Sequence, residues 1–462
     1  MSPASAPIVT AAQMRAAEEE AFRFATQLEV MERAGAAVAR EAARFALGRP
    51  ILVLAGPGNN GGDAYAAARL LKERGHDVTI AACGHPQTDA GKAMLEAWGG
   101  PVSSLYEARP RPVLIDGLFG TGLTRPLERG IAAVFAELVS AAEFRLAIDL
   151  PSGIETDSGE DLGARRMDAT LALGALKPAH VLGRGLECSG HVLLADIGVP
   201  VQSHWRTVAR PVLRAPGAQD HKYSRGMVVV VEGAMPGAAR LAGRSALAGG
   251  AGYVVIAGPE APGGPDALVH RAMHGGDDLG DLLTDDRIGA VVIGPGLGRD
   301  RRAEALLKAA LASQRPLVLD GDALSLLGKS AAAWLQRRTA PAWLTPHAGE
   351  FERIYEGEGS KIDRTLALAA EGRATVIHKG ADTVIASPRG EVRVLAGSSP
   401  WLSTAGTGDV LAGLLGARVA AGTAQAAEAA VWLHARAAWL AGPAFVADTL
   451  IERLGEATSE CL

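Results

Sequence analysis

Cysteine is nearly absent from this chain. Its 462 residues hold Cys83, Cys188 and Cys461 alone, an odd, scattered set with neither a metal-binding spacing nor a disulfide framework, so a reducing compartment is the default. Aromatic residues make up 4% of the chain, too few for the stacking platforms of single-strand nucleic-acid binders. An excess of basic charge is also missing: the formal net charge is −5, which argues against a nucleic-acid partner. No apolar run reaches membrane-spanning length. The richest stretch, 410–440, is interrupted by Arg418, Glu428, His434 and Arg436. Residues 1–10 have neither the basic start nor the apolar centre of a secretory signal, and a cytoplasmic protein without membrane or nucleic-acid partner is expected.

What the chain does have is apolar segments in alternation with helical ones. In the first half, runs at 51–55, 78–82, 113–116, 146–149, 169–173 and 192–196 are continuous, and each ends in a turn residue or an aspartate. Such runs between helices predict a parallel sheet covered on both faces. Thr10 reads as the N-cap of a first helix, and a second helix spans 31–47. Three prolines and no clear period mark 200–217 as a linker. The alternation then restarts at 227–231, 253–257, 290–293, 316–319, 342–344, 375–378, 383–386 and 392–395, with closing helices at 408–421 and 425–440. The expected fold class is α/β, as two three-layer αβα domains at 1–213 and 218–462.

In such sheets ligands sit at the carboxyl ends of the strands. Three loops there carry chemistry in the first half. They are Gly58-Asn59-Asn60-Gly61-Gly62-Asp63, Asp116-Gly117-Leu118-Phe119-Gly120-Thr121-Gly122 and Asp149-Leu150-Pro151-Ser152-Gly153. Backbone carbonyls, an asparagine oxygen, Asp116 and the Ser152 hydroxyl make an oxygen cage suited to a hard cation. Asp149 is then free for substrate hydroxyls or proton transfer. The plain alternative is that the glycines only turn the chain and the aspartates only cap helices. Turn chemistry does not, however, call for Asn-Asn-Gly-Gly-Asp.

The second half has Gly294-Pro295-Gly296-Leu297-Gly298, Asp320-Gly321-Asp322, Thr345-Pro346-His347, Lys379-Gly380-Ala381-Asp382-Thr383 and Ala405-Gly406-Thr407-Gly408-Asp409. The last is the sharpest. Its glycines let backbone N–H groups surround a transferring phosphoryl, and Asp409 can take a proton from the attacking hydroxyl. It lacks the Gly-Lys-Ser/Thr ending of a P-loop. His347 reads in isolation as a capping or core histidine, and Lys379, between two β runs, as a nucleotide contact.

These motifs carry a resemblance. Residues 56–63, 116–122 and 149–153, with 31–35, Thr170 and Lys177-Pro178, resemble the N-terminal domain of the NAD(P)H-hydrate repair enzymes. His221-Lys222, Gly226, 237–239, 294–298, 345–351, 379–383 and 406–413 resemble the ribokinase-like, ADP/ATP-dependent NAD(P)H-hydrate dehydratases. The resemblance implies a Rossmann-like N-terminal domain that interconverts the R and S hydrates of NADH and NADPH (NADHX and NADPHX). It places K+ at Asn60, Asp116 and Ser152. It places substrate at Asn59, Asn60, Gly61, Gly62 and Asp63, at Gly120, Thr121, Gly122, Leu123, Thr124, Arg125 and Pro126, and at Asp149, which is also catalytic. It implies a C-terminal domain that dehydrates the S form at the expense of Mg2+-bound ADP, giving AMP and phosphate. There the catalytic Asp409 would meet the hydrate near Ala238, Gly296, Gly298 and His347, and the nucleotide would lie on Lys379, Gly380, Ala381, Asp382, Thr383 and Gly408. A homo-oligomer, a tetramer or larger, is implied too. Two departures stand out: Ala64, where the family has glycine, and Glu232-Gly233-Ala234, where it has Gly-Gly-Ser. The residues themselves leave open ADP or ATP as donor, and a ribokinase-like small-molecule kinase fused to a nucleotide-binding domain.

Overall fold

The structure is a computed structural model that describes residues 5–259 and 263–462. The chain divides into two compact units, Ala6–Trp205 on one side and Arg206–Leu462 with Ser5 on the other.

The first unit is built on seven strands: β1 (Ile51–Ala55), β2 (Val78–Ala82), β3 (Val102–Ser104), β4 (Val113–Gly117), β5 (Phe144–Ile148), β6 (Ala169–Leu173) and β7 (His191–Ala195). Their order is β3-β2-β1-β4-β5-β6-β7, and every pairing is parallel. Alternate side chains of β1 point to opposite faces. Ile51, Val53 and Ala55 join a core shared with the helices Gln27–Ala46 and Asn59–Glu73. Leu52 and Leu54 join another, with Phe135 and Leu138 of the helix Arg129–Ala141. Two covered faces explain why this strand has no polar position. The first helix, Ala11–Ala21, starts at a capping box in which Thr10 Oγ1 accepts from Gln13 N and the Gln13 side chain accepts from Thr10 N. The strand order reverses between β1 and β4, so the loops after these two strands open onto the switch-point crevice.

The remaining strands are β8 (Trp205–Thr207), which begins at the division, and, in the second unit, β9 (Met227–Val231), β10 (Tyr253–Gly258), β11 (Leu268–Ala272), β12 (Ile288–Ile293), β13 (Leu317–Leu319), β14 (Ala342–Leu344), β15 (Thr375–His378), β16 (Asp382–Ala386) and β17 (Val392–Ala396). They form one sheet in the order β11-β10-β9-β12-β13-β14-β15-β16-β17-β8. The pairings are parallel from β11 to β15 and antiparallel through β15, β16 and β17. Here too one strand feeds two cores. Val228 and Val230 of β9 pack with the helices Pro236–Ala248, Thr407–Ala420 and Ala426–Ala441. Met227, Val229 and Val231 pack on the other face with Arg301–Ala312.

Three strands differ from the sequence reading: β3, β8 and β11 were not among its runs. Two are three residues long, and β11 carries His270 and Arg271, so none makes an apolar run. The 200–217 stretch is also less free than its prolines suggest. Val208 N donates to Val394 O at 2.9 Å, Leu213 N donates to Cys461 O at 2.7 Å, and both side chains join the core of the second unit. The division therefore falls earlier than 213.

Gly413 lies inside the helix Thr407–Ala420, where a Cβ would stand 2.6 Å from the Ala242 carbonyl carbon and 2.8 Å from its Cα. Helix propensity alone favours alanine by roughly 1 kcal/mol. Overpacking costs roughly 1–3 kcal/mol, and because the opposing atoms are backbone they cannot rotate away. Gly413→Ala is therefore expected to lower the urea midpoint of the second unit. Gly280→Ala, whose Cβ would meet nothing within 4 Å, serves as control and should leave it unchanged or raise it.

Candidate functional site

The crevice of the first unit is a cavity of about 580 Å³. The helix Asn59–Glu73 begins at its wall, with Gly58 as N-cap and no side-chain cap. Gly58, Asn59, Asn60 and Asp63 line the cavity, as do Gly120, Thr121, Gly122, Leu123, Thr124 and Arg125. An uncapped helix start beside a glycine loop is a place for anionic groups. Gly61, Gly62 and Pro126 do not line it. The two glycines allow close packing instead: a Cβ on Gly61 would strike the Gly56 backbone, and one on Gly62 would stand 2.5 Å from Met31 Sδ. Ala64 has a similar explanation. Its methyl is accommodated by Gly117, where a Cβ would stand 2.7 Å away, so the departure from glycine points into the Asp116 loop.

Asp149 lines the cavity with a left-handed backbone, φ 60°. Lys177 Nζ donates to Asp149 Oδ1 and, at 2.8 Å, to Leu173 O. Leu173 N donates to the same Oδ1 at 3.1 Å. His180 Nε2 lies 2.6 Å from Asp149 O, and its Nδ1 accepts from Lys177 N at 2.8 Å. Burial, then the Lys177 charge, pushes His180 down to about 4. Burial, then Asp149 and Glu18, holds Asp63 well above the carboxylate range.

Asp116 and Ser152 lie outside the cavity lining, fully buried. Ser152 Oγ donates to Asp116 Oδ1 at 2.6 Å, Ser152 N to Oδ2 at 2.8 Å, and Leu118 N to Oδ1 at 3.2 Å. Burial, against these bonds, lifts Asp116 to about 6. Phe119 O is 3.3 Å from Ser152 Oγ. Asn60 packs against Gly120, and its Nδ2 is buried without a partner. One carboxylate, a hydroxyl, a carbonyl and the oxygen of the Asn60 amide are the ligand types a hard monovalent cation takes; the unpartnered Nδ2, a donor, is not among them. Among the described residues no group of three or more His, Cys, Asp or Glu is placed to hold a metal ion.

The second unit assembles its loops through a chain of bonds. Met235 N donates to Gly296 O at 2.9 Å, and Ala234 N to Leu297 O at 3.2 Å. Gly296 stands against Ala238, and Gly298 against Ala234. Gly298 N donates to Asp322 Oδ2 at 3.0 Å, and Asp320 N to Ile293 O at 3.2 Å. Asp320 then accepts from Lys379 Nζ at 2.8 Å and from Thr345 Oγ1 at 2.7 Å. A Cβ on Gly408 would stand 3.3 Å from Lys379 Nζ, so glycine keeps the ammonium open to the helix start. Burial disfavours the Lys379 charge, but Asp320 and Glu350 outweigh it and raise its pKa. Asp409 sits in the first turn of the uncapped helix Thr407–Ala420. Burial, then Asp320, lifts its carboxyl to about 6 against the pull of Lys379. Glu232 turns its carboxylate toward Gly258 at the end of β10.

His347 is the N-cap of the helix Ala348–Ile354. Its Nδ1 accepts from Gly349 N at 3.0 Å, while Glu350 Oε2 accepts from His347 N. Thr383 Oγ1 closes the 380–383 turn by donating to Gly380 O. Asp382 is held by Lys361, whose Nζ donates to its Oδ1 at 2.6 Å. The sequence reading gave no site role to Lys177, Glu18, Asp320, Glu350 or Lys361. Lys177 and Asp320 were visible as strand-end residues, but a charge that is fully buried through its partner has no sequence signal.

Asp409 gives the site a measurable cost. Its folded pKa of about 6 exceeds the ordinary 3.8, so the folded state binds the proton more tightly, and stability falls as pH rises between these values. Asp409→Asn removes that penalty. Its Tm should match the wild type near pH 4 and exceed it above pH 7, as read by thermal unfolding across pH.

The family model described as NAD(P)H-hydrate dehydratase matches residues 228–459, and that described as YjeF-related protein N-terminus matches 27–179. A bifunctional NAD(P)H-hydrate repair enzyme of Synechocystis sp. is 35% identical over 95% of this chain and 91% of its own. One of Gloeobacter violaceus is 37% identical over 94% and 93%. A ribokinase-like superfamily protein of Enterococcus faecalis superposes with a TM-score of 0.50 at 23% identity, over 57% of this chain and 98% of its own, a likeness that bears on the fold. Matched in order in both halves and aligned nearly end to end with its relatives, the chain belongs to the bifunctional NAD(P)H-hydrate repair enzymes.

Proposed function

We propose that the first unit epimerises R and S NAD(P)HX at the cavity between the helix start at Asn59 and Asp149. The second unit dehydrates the S form with ADP as phosphoryl donor. The observation that carries the second assignment is Asp409, an elevated carboxyl in the first turn of an uncapped helix, beside the Lys379–Asp320 pair. Asp409 takes the proton of the C6 hydroxyl as that oxygen attacks the donor's terminal phosphorus. The free N–H groups after Gly406 and the Lys379 ammonium face the negative charge that develops on the phosphoryl oxygens. The ring nitrogen lone pair then expels phosphate, a far better leaving group than hydroxide, leaving an N1=C6 iminium, and loss of a proton from C5 to water returns the nitrogen lone pair and the 5,6 double bond. Lys361 holds the 379–382 turn in place through Asp382.

The Asp116 carboxylate, the Ser152 hydroxyl, the Phe119 carbonyl and the Asn60 amide would hold K+, which when bound supplies a positive charge that polarises the oxygens around it. Mg2+ would accompany ADP. The resemblance also supports a cytoplasmic homo-oligomer, a tetramer or larger. Among the described residues no helix is long and apolar enough to cross a membrane.

Incubation of mixed hydrates with ADP, Mg2+ and K+ tests the reading: restored NADH absorbance with inorganic phosphate supports it, and a stable phosphorylated product would mark a small-molecule kinase instead. Asp409→Asn should cut dehydration roughly 10²–10⁴-fold with R-to-S exchange unchanged. Because the base must be ionised, wild-type dehydration should rise with pH through about 6. Asp116→Asn should raise the K+ concentration needed for half-maximal exchange and leave dehydration untouched; an unchanged K+ curve would place the cation elsewhere.

A further inference from the structure

Three carboxyls reach the cavity of the first unit from three elements. Glu18 comes from the helix Ala11–Ala21, Asp63 from Asn59–Glu73, and Asp149 follows β5. Lys177 lines the same cavity, as do Arg15 and Arg125. Lys177 is committed to Asp149. Asp63 is buried, whereas Glu18 is half-buried and so can exchange protons with solvent. Glu18 also stands where the charges of both Lys177 and Asp149 are felt: burial raises its pKa, Lys177 pulls it down and Asp149 pushes it up. The cavity thus holds one carboxylate bonded to a buried lysine and another carboxyl biased toward its acid form. That is the pairing a reaction needs when it must take one proton and give another.

We propose that Glu18 is a catalytic acid–base residue of the epimerase site, an inference that rests on reading this cavity as that site. C6 of the hydrate bears the hydroxyl and is bonded to ring N1, so inversion requires C6 to become planar. Asp149 takes the hydroxyl proton, and the freed oxygen pair forms the C6=O bond. The C6–N1 bond breaks with its pair passing to N1, which takes the proton of Glu18. Rotation about C5–C6 presents the other face of the aldehyde. N1 then attacks C6, its proton returns to Glu18, and Asp149 returns the first proton to oxygen. No oxidant, reductant or water is consumed.

The test uses the full chain with K+, pure R hydrate and no nucleotide, following R-to-S exchange by NMR. Glu18→Gln should lower kcat roughly 10²–10⁴-fold with KM little changed. The wild-type rate should fall as pH rises through the Glu18 pKa, and that alkaline limb should vanish in the variant. Asp63, Asp149, Lys177, Arg15 and Arg125 stay in place in both proteins. Glu18→Ala should regain part of its rate on addition of acetate, which a purely structural role would not allow. Wild-type kcat in either variant, a rise in KM alone with the limb retained, or no rescue of Glu18→Ala by acetate would overturn the assignment. Urea unfolding shows whether each variant is folded, and if Gln is not tolerated the Ala rescue decides. Failure of the wild-type chain itself to exceed spontaneous exchange would instead sink the epimerase reading, and with it this inference.

Discussion

Both candidate sites depend on a buried aspartate held at a strand end by a lysine from elsewhere in the same unit. Asp149 follows β5 and is met by Lys177; Asp320 follows β13 and is met by Lys379. Burying a lone carboxylate or ammonium costs several kcal/mol, and removing one partner of such a pair typically costs about 3–5 kcal/mol. Each pair persists because further bonds complete it: Leu173 N and O around the first, Thr345 Oγ1 at the second. The consequence is chemical. A further carboxyl in the same low-dielectric space is lifted chiefly by burial, then by the neighbouring aspartate, and since the lysine is bonded to that aspartate its opposing pull does not cancel them. Asp63 and Glu18 are in that position in the first unit, and Asp409 in the second. The neighbouring acids thus hold their protons more tightly than a solvated carboxyl would.

The sheets explain why these groups meet. Parallel strands send all their carboxyl ends to one edge, so residues as far apart as Asp320, Lys379 and Asp409 need only follow different strands to converge. The strand runs are readable because a strand buried on both faces is almost wholly apolar, a polar residue such as Asp116 or Thr170 being kept only where hydrogen bonds satisfy it. β1 and β9 show the limit of this: their sequences are apolar throughout and locate the strand without telling which residue faces which core. The short or polar-bearing strands β3, β8 and β11 lack that signature, and so they emerge only from the structure.

The sites were legible in a similar, partial way. Glycine and asparagine runs at strand ends gave the loops, because backbone approach to a ligand needs them. The same signal is ambiguous residue by residue: Gly58 and Gly120 line the cavity, whereas Gly61 and Gly62 exist to let Gly56 and Met31 pack. Charged partners were the least legible. Glu18 lies in the run Glu18-Glu19-Glu20, which reads as a solvated helix face, yet one of the three lines the cavity. Likewise Lys361, on the helix Lys361–Gly372, has no motif and is recognised only by the Asp382 it holds. His347 shows the opposite case, where the bland capping role is the one its hydrogen bonds display.

The helix Thr407–Ala420 ties packing to chemistry in the second unit. Its first turn carries Gly408 beside Lys379 and Asp320, and Asp409. One turn further on, Gly413 lets the helix descend onto the Ala242 backbone, and a Cβ on Gly416 would stand 2.6 Å from Val292 Cγ2. A rigid helix translates as a body, so an added methyl at its middle moves its N-terminus by a similar amount. Displacements of about 1 Å at a reacting group can cost roughly 10²-fold in rate. The small residues along this helix are therefore part of what sets the distance between the Asp409 carboxylate and the hydroxyl that we propose it deprotonates, although none of Ala412, Gly413 or Gly416 bears a group that could take part in the reaction.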